Sequence, residues 1–505
     1  MAIIENTKQK KFKKRSSTLH AGVAKSDITT DEPGVVVNDP LYAKVLILND
    51  GKIPVVIITM DVTAIGGRKI SDGALPDVGE DFLPNLRGRI ERELQIPGCN
   101  VLVNASHTHP PGQMLCSDEE QVERTFDAVR RAVENMVPVH IGFGKGREER
   151  ISMNRTLRLK DGKHWTIRHS IPSPPDDVIE NAGPIDHEIG IIRVDHLDGT
   201  PLAVVYNFAC HLLFGDYLGH ITANIPGYAS KVIENSLGNG AMALFLQGAA
   251  GDVCDTTFKE FNRPRDVAQL GSALGQSTLN AWRKIKTDDA TLKVISETVK
   301  LPRRTDINER VAELRQEQNA LLASLRFTSL NFESFLPLYL KSERNLSCLS
   351  SVSPQGDHQD ELSPNKAMAT FNQKNIGKYL RNIRAMEYLS KIVDDIVTLR
   401  KHQKLNEQSG EDTIDAEVMG IRIGNGILIS SPAETLVEIG MNIKKSSSFS
   451  NTFVLGYTNG YLHYGCPASY YNKGGYEVTE CLLAPEWQDI YEKKVTEIIN
   501  KLESV

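Results

Sequence analysis

Two histidines one residue apart, His107 and His109 in SHTHPPG, directly follow the apolar run VLVNA. Residues two apart in extended chain point to the same side, so an HxH pair leaving a strand aims both imidazoles into one cleft. Neutral imidazole is a favoured zinc ligand. A third histidine, His211, follows the apolar run PLAVVYNFAC. Glu434 stands in SSPAETLVEIG, where Pro432 and Ala433 lead from ILISS into a predicted helix, and Tyr464 closes YTNGYLHY. A catalytic zinc takes three or four ligands plus an open position for water, and its ligands commonly come from separate strand ends. Singly, each residue also has an ordinary structural reading: a histidine at a strand end, a carboxylate at a helix N-terminus, a tyrosine packed on a sheet.

The elements that must position these residues follow an αβ rhythm. VLILN (Val45–Asn49) and VVIITMDV (Val55–Val62) are continuous and β-branched, as buried strands are. Leu83–Leu94 has helical spacing, and NVLVNASHTH then predicts a strand running into a loop. The pattern continues through IGIIRVDH, PLAVVYNFACH, a helix near Tyr228–Asn239 and AMALFLQGAAGD, interrupted by a polar, Pro-bearing loop over Ser170–Pro184 that suits the substrate side of a cleft. Apolar residues recur at helical spacing over Asn308–Leu325 and Asn375–His402, predicting an antiparallel helical pair whose long connection includes Ser350–Ser363. Strands return in EVMGIRIGNGILISSPAE and NTFVLGYTN, and a charged helix runs from Trp487 to about Leu502. The expected fold class is α/β, mixed β-sheets layered with helices, with a helical hairpin inserted at about 305–405. The expected organisation is a basic, disordered arm over 1–18 followed by one domain over 19–505.

With 505 residues the chain exceeds the size at which one core stops growing, and at 40% hydrophobic and 24% charged it carries none of the biases of fibres or disorder. A net charge of −6 gives no general attraction to nucleic acid or to an anionic surface. The one basic run, KQKKFKKR (Lys8–Arg15), is terminal and is expected to be a solvated arm. Seven cysteines (Cys99, Cys116, Cys210, Cys254, Cys348, Cys466, Cys481) form an odd set without CxxC spacing, so reduced thiols are expected. No signal-peptide core and no bilayer-length apolar stretch is present, from which a cytoplasmic protein without an integral membrane segment is expected. The oligomeric state is left open.

In combination these segments resemble the neutral/alkaline ceramidase family. HAGVAKSDIT is similar to its GxxxxDIT opening, SHTHPPG to its SHTHSGPG, MNR (Met153–Arg155) to its NRS element and NFACH to its second histidine segment. TANIPGYAS is similar to DNKGYAS, QGAAGDV to NxGDVSPN, SPAET to PGEFT, TNGYLHY to NxYxxY, and GGYE to its RYE. The order agrees from Leu19 to Tyr476, which covers the N-terminal catalytic domain of that family only. The resemblance implies a zinc hydrolase cleaving an amide, with His107, His211, Glu434 and Tyr464 as metal ligands. It implies His109, Arg155 and Tyr476 around the scissile carbonyl, and Asn154 and Tyr471 as further substrate contacts. His109 suits the proton donor to the leaving nitrogen, with Tyr464 and Arg155 aiding the oxyanion.

Three departures concern the substrate. GDVSPN becomes GDVCDTT, putting Cys254 where the family has serine; PPGQ (Pro110–Gln113) replaces SGPG; and GCPASYY (Gly465–Tyr471) replaces TTYEEYQ. Ceramidases of this type also carry a signal sequence and a C-terminal β-sandwich, so a smaller soluble amide is an expectation beside an N-acyl lipid. The rival readings are an ester, lactone or sugar-derived substrate at the same zinc, a noncatalytic binding protein on this scaffold, and a cysteine hydrolase using Cys254.

Overall fold

The run YAKVLILN buries both of its faces, which is why it is apolar without alternation: Val45 and Ile47 enter one core, Leu46 and Leu48 another. The computed structural model describes residues 18–67, 77–109, 115–167, 173–213, 220–255, 266–349 and 364–504. The arm expected over 1–18 (but for Thr18), Pro110–Gln113, the start of the Ser170–Pro184 loop, Thr256 and Thr257 of GDVCDTT, and the Ser350–Ser363 connection lie outside the described residues.

The strands are β1 (His20–Asp27), β2 (Tyr42–Asn49), β3 (Pro54–Met60), β4 (Val101–Ala105), β5 (Val137–Arg147), β6 (Met153–Asn154), β7 (Thr156–Leu159), β8 (His164–Thr166), β9 (Ile179–Ala182) and β10 (Glu188–His196). They continue as β11 (Pro201–Phe208), β12 (Met242–Gln247), β13 (Val253–Cys254), β14 (Leu292–Pro302), β15 (Thr413–Ile423), β16 (Gly426–Ser430), β17 (Glu434–Thr435), β18 (Asn451–Leu455) and β19 (Tyr464–Gly465). The helices are α1 (Phe82–Leu94), α2 (Asp118–Glu134), α3 (Asn224–Leu237), α4 (Val267–Trp282), α5 (Ile307–Ser324), α6 (Phe332–Leu349), α7 (Pro364–Ser409), α8 (Val437–Ser446), α9 (Tyr476–Thr479) and α10 (Trp487–Glu503).

Eight strands form one sheet in the order β12-β11-β10-β5-β1-β2-β3-β4, and four form another, β14-β15-β16-β18. The two sheets face each other across a shared core in which Leu46, Ile57, Val205 and Leu244 meet Met419, Ile421, Leu428 and Phe453. Each such side chain taken out of water contributes roughly 1.5–3 kcal/mol. Helices α1 and α2 cover the outer face at one end of the large sheet through Phe82, Leu86, Phe126 and Val129, and α3 and α4 cover the other end. Helices α8 and α10 cover the outer face of the small sheet through Ile439, Trp487 and Ile498. This mixed α/β layering is the fold class expected from the sequence.

Most pairs are antiparallel, but β3/β4, β11/β12 and β16/β18 are parallel, each joined by a helical crossover. Crossover helices leave the carboxyl ends of such strands open, and ligand sites in α/β folds form there. All four histidine, carboxylate and tyrosine segments of interest lie just beyond those ends.

The described residues form two compact units, one running up to Arg304 and resuming at Asp412, the other Thr305–Glu411. The second unit differs from a simple hairpin. A third helix, α6, intervenes, and α7 runs for 46 residues. Helix α5 pairs with α7 through Ile307, Val311, Leu314, Ile392 and Leu399. Their antiparallel register is held by Arg400 Nη1 donating to Asn308 Oδ1 (2.8 Å) and Asn382 Nδ2 to the Arg326 carbonyl (2.6 Å). Helix α6 packs by Phe335 stacked on Tyr379, ring centroids 4.5 Å apart. Other differences are local. The Ser170–Pro184 segment contains β9, paired with β7. Glu434 does not open a helix: it lies in β17, and α8 begins at Val437. No helix of the described residues is long and apolar enough to cross a membrane.

Candidate metal centre

Strand β4 delivers Ser106–His109 to the cleft, and β11 delivers His211. Two buried amides hold these exits in register. Asn104 Nδ2 donates to the Gly456 carbonyl (2.7 Å) and to Thr458 Oγ1 (2.9 Å), joining β4 to the segment after β18. Gln247, at the end of β12, donates from Nε2 to the Ser106 carbonyl (2.9 Å) and the Cys210 carbonyl (2.8 Å), the residues immediately before His107 and His211. His107 sits at φ 62° and Tyr457 at φ 54°, left-handed conformations that cost a non-glycine residue about 1–3 kcal/mol and persist only where the surroundings impose them. Their rings stack at 4.1 Å.

Three imidazole nitrogens converge. His107 Nε2 and His211 Nε2 are 3.0 Å apart, and His109 Nε2 lies 3.1 Å from the first and 3.0 Å from the second. His107 and His211 are buried, and His109 is half-buried. His107 Nδ1 is 2.6 Å from the Thr63 carbonyl oxygen, which can only accept, so the proton resides on Nδ1 and Nε2 presents its lone pair. Burial, reinforced by His107, Arg155 and His109, drives the His211 pKa well below its ordinary range and keeps the ring neutral.

Glu434 completes the cluster. It is buried in β17, directly paired with Tyr464 of β19. Its Oε2 lies 3.4 Å from His107 Nε2 and 3.6 Å from His211 Nδ1. Its Oε1 accepts a hydrogen bond from the Tyr461 hydroxyl, and the Tyr457 hydroxyl reaches Oε2 at 3.5 Å. Burial alone would raise the carboxyl pKa, but His107, His463 and the Tyr461 hydrogen bond outweigh it and hold Glu434 ionised, far below the usual range.

This donor set fits zinc. Ligands of one tetrahedral zinc at 2.0–2.1 Å stand about 3.3 Å from each other, close to the His107–His211 separation of 3.0 Å and the His107–Glu434 separation of 3.4 Å. Converging lone pairs beside a carboxylate repel one another unless a cation lies between them. The Thr63 carbonyl on His107 and the Tyr461 phenol on Glu434 supply the outer hydrogen bonds that orient metal ligands.

A second buried network adjoins through Glu434–Tyr464. Arg155, 1% exposed, donates from Nε to Glu477 Oε1 (2.8 Å) and from Nη2 to the Gly251 carbonyl (2.8 Å) and the Tyr464 hydroxyl oxygen (2.8 Å). The Tyr464 oxygen is thus an acceptor here, which leaves its own O–H free to donate elsewhere. Tyr476 lies edge-on to Tyr464 at 5.5 Å, with the Arg155 guanidinium 5.8 Å from its ring.

The structure places the remaining residues singled out in the sequence as follows. Asn154 is buried, donating to Asp252 Oδ2 and the Pro184 carbonyl, both at 2.8 Å. Tyr471 is a core residue whose hydroxyl donates to the Leu483 carbonyl at 2.7 Å and meets Cys481 Sγ at 3.1 Å. Cys254 is wholly buried in β13, paired with Met153 and bridged to His211 by backbone. The phenols that hydrogen-bond Glu434 are Tyr461 and Tyr457, while Tyr464 is its backbone partner and bonds Arg155. The element NGYLHY offers two tyrosines three residues apart, and spacing alone does not say which one turns to the carboxylate. Asn104 and Gln247 were not singled out either, since a buried amide inside an apolar strand is their only sequence signal.

An α/β fold with two facing sheets and an imidazole–carboxylate cluster beyond its parallel strand ends defines the class of this protein. Comparison with models of known protein families and with curated protein sequences finds no match. Among solved structures, the chain is similar to the neutral ceramidase of Pseudomonas aeruginosa, with TM-score 0.60 and 16% identity over 96% of this chain and 74% of that one. It is similar also to a ceramidase complexed with C2, with TM-score 0.59 and 15% identity over 96% and 75%. The chain has a neutral ceramidase-like fold.

Proposed function

We propose that this protein is a zinc-dependent hydrolase that cleaves an amide, with zinc held by His107, His211 and Glu434 and the phenol of Tyr461 behind the carboxylate. The observation that carries the reading is the convergence of three imidazole Nε2 atoms beside an ionised, buried carboxylate. Zinc in such a set supplies a Lewis acid and brings the pKa of a coordinated water to about 7.

The chain's own residues do the rest. Two neutral imidazoles and one carboxylate leave net positive charge at the metal. Tyr464, its oxygen already engaged by Arg155, has its O–H left to serve as a donor to a developing oxyanion. Arg155 is fixed by Glu477 and the Gly251 carbonyl, so that donor needs no rearrangement during reaction. His109 is the member of the triad with access to solvent, and we assign it the proton delivered to the leaving nitrogen. Ceramide, from which the similar structures take their name, is an N-acyl lipid, and an N-acylated amine is the substrate class assigned here.

The test is a panel of N-acyl amides, esters and lactones assayed on the protein with metal removed by chelator and then restored. Zinc-dependent turnover confined to amides supports the reading. Turnover confined to esters or lactones replaces the substrate class. Chelator-insensitive turnover abolished by alkylation assigns the chemistry to a thiol. Less than one bound zinc per chain, with no turnover, makes the protein a binding module.

A further inference from the structure

A cavity of about 330 Å³ opens between strands β1–β3 and helix α3, and it shares no residue with the metal centre. That is the size of a site for a small organic molecule rather than for a lone ion. Pro226 and Phe245 supply apolar wall, and six charged side chains line the rest: Lys25, Asp39, Lys44, Asp61, Lys231 and Glu234. Three of these are satisfied within the protein. Lys44, 8% exposed, donates to Glu234 Oε1 (3.0 Å) and to the Ala243 carbonyl (2.8 Å). Asp39 accepts from the Thr222 hydroxyl (2.5 Å), the Ala223 amide (2.7 Å) and Asn38 Nδ2 (2.8 Å), so its oxygens are committed to the start of α3.

Asp61, Lys25 and Lys231 are left, and none of them forms an ion pair with a described residue. Asp61 accepts from the Tyr42 amide at Oδ2 (2.9 Å) and has the Ser106 hydroxyl and the Lys44 ammonium as its other favourable neighbours. Burial still outweighs them and raises its pKa to about 6, the mark of a carboxylate with less positive charge around it than it needs. Lys25 places Nζ over the Tyr42 ring, 4.3 Å from its centroid, and Lys231 is exposed. Lys25, Lys44 and Thr59 stand in one cross-strand row, and Asp61 lies two residues beyond Thr59 on the same face of β3. The outer members of that row are two strand spacings apart, about 10 Å between backbones. Thr59 lines the cavity, is 4% exposed, and its hydroxyl has no hydrogen-bond partner among the described residues. A cation and an anion that the protein does not pair, together with an unmet hydroxyl, therefore border one cavity. A simple anion or a simple cation answers only one of the two charges; a molecule that carries both answers each.

We infer that this cavity binds a small zwitterion with an apolar body, of the amino-acid class, its ammonium on Asp61 and Thr59 and its carboxylate on Lys25. The inference is independent of the reaction at the metal centre. The experiment is isothermal titration calorimetry of the full chain with glycine, leucine and phenylalanine. Two further probes each lack one charge of leucine: isopentylamine has no carboxylate, and 4-methylpentanoate has no ammonium. Every titration is made with zinc bound and again after chelation, because amino acids themselves bind zinc. The expected result is that leucine or phenylalanine binds more tightly than glycine, and that leucine binds at least about tenfold more tightly than either single-charge analogue, the scale of one lost charged hydrogen bond. Asp61→Asn, which keeps an acceptor for the Tyr42 amide, and Lys25→Gln should each weaken binding by about tenfold or more. Circular dichroism should show both variants folded, and chelation should leave the affinity unchanged. The inference is overturned if none of the three amino acids binds at about 10 mM, if the amine or the acid binds as tightly as leucine, or if both variants bind like the parent. Binding that the chelator abolishes overturns it as well, since the amino acid is then on the metal.

Discussion

Gln247 is the residue whose replacement tests most directly how the fold sets the metal centre. It is 0% exposed, and its amide joins the backbones that carry His107 and His211. Besides the two carbonyls, its Oε1 accepts from the Cys210 amide (3.2 Å) and the Gly248 amide (3.0 Å). In Gln247→Leu, Gly248 keeps the Phe208 carbonyl as an acceptor, so three backbone groups lose this partner: the Ser106 carbonyl and the carbonyl and amide of Cys210. At about 1–3 kcal/mol for each buried group so deprived, less the gain from a buried leucine, the expected loss of stability is about 2–4 kcal/mol. The two strand exits are then free to separate, and loss of such outer support typically weakens metal affinity by about 10–100-fold. The assay is zinc competition against a chelating dye at pH 7.5, alongside urea unfolding of the metal-free protein. Gln247→Glu, which keeps the length but sets a carboxylate oxygen against the two carbonyl oxygens that Nε2 served, should lose at least as much as Leu at pH 7.5. A Leu variant that loses stability but binds zinc as tightly as the parent would refute the claim that these bonds hold the imidazoles in register.

Three further outcomes follow from the geometry. His109→Ala should keep one zinc per chain and lose roughly 10²–10⁴-fold in kcat if His109 is the proton donor, whereas loss of zinc by elemental analysis would make it a ligand. Arg155→Met strands Glu477 in the interior and should cost about 3–5 kcal/mol in urea unfolding, and adding Glu477→Met should recover part of that, since a buried pair is costly chiefly when broken. Asp61, whose pKa burial raises from 3.8 to about 6 against the pull of Lys44, disfavours the folded state most above pH 6 and not at all below 3.8. Asp61→Asn retains an acceptor for the Tyr42 amide (2.9 Å) and should stabilise by about 1–2 kcal/mol at pH 8, discounted for partial solvent access, with the advantage gone by about pH 4.

Much of this protein was legible along the chain because short-range rules suffice for it. The runs at Val45–Asn49 and Val55–Val62 are apolar on both faces, as strands buried between two layers must be, and β2 and β3 lie there. The helix at Leu83–Leu94 needed only its period. His107, His109 and His211 were recognisable because each follows directly on an apolar strand, and the end of a strand is where a side chain can leave the core for a cleft. The second unit was harder. Helix α6 contains Pro337 and carries apolar residues on two faces, so the single-stripe pattern that betrays an amphipathic helix is absent.

Composition and spacing determined an α/β protein with imidazoles at strand ends. They did not determine which groups meet. Glu434 lies more than 200 residues beyond His211, and its place beside His107 follows from β17 pairing with β19 and from β16 and β18 running parallel, none of which is written locally. The two phenols that reach Glu434, the burial of Tyr471 in a core and the role of Gln247 likewise depend on side-chain direction at a junction of two sheets. Local periodicity reports which way a residue faces relative to its own strand; only the packed sheets decide what stands opposite.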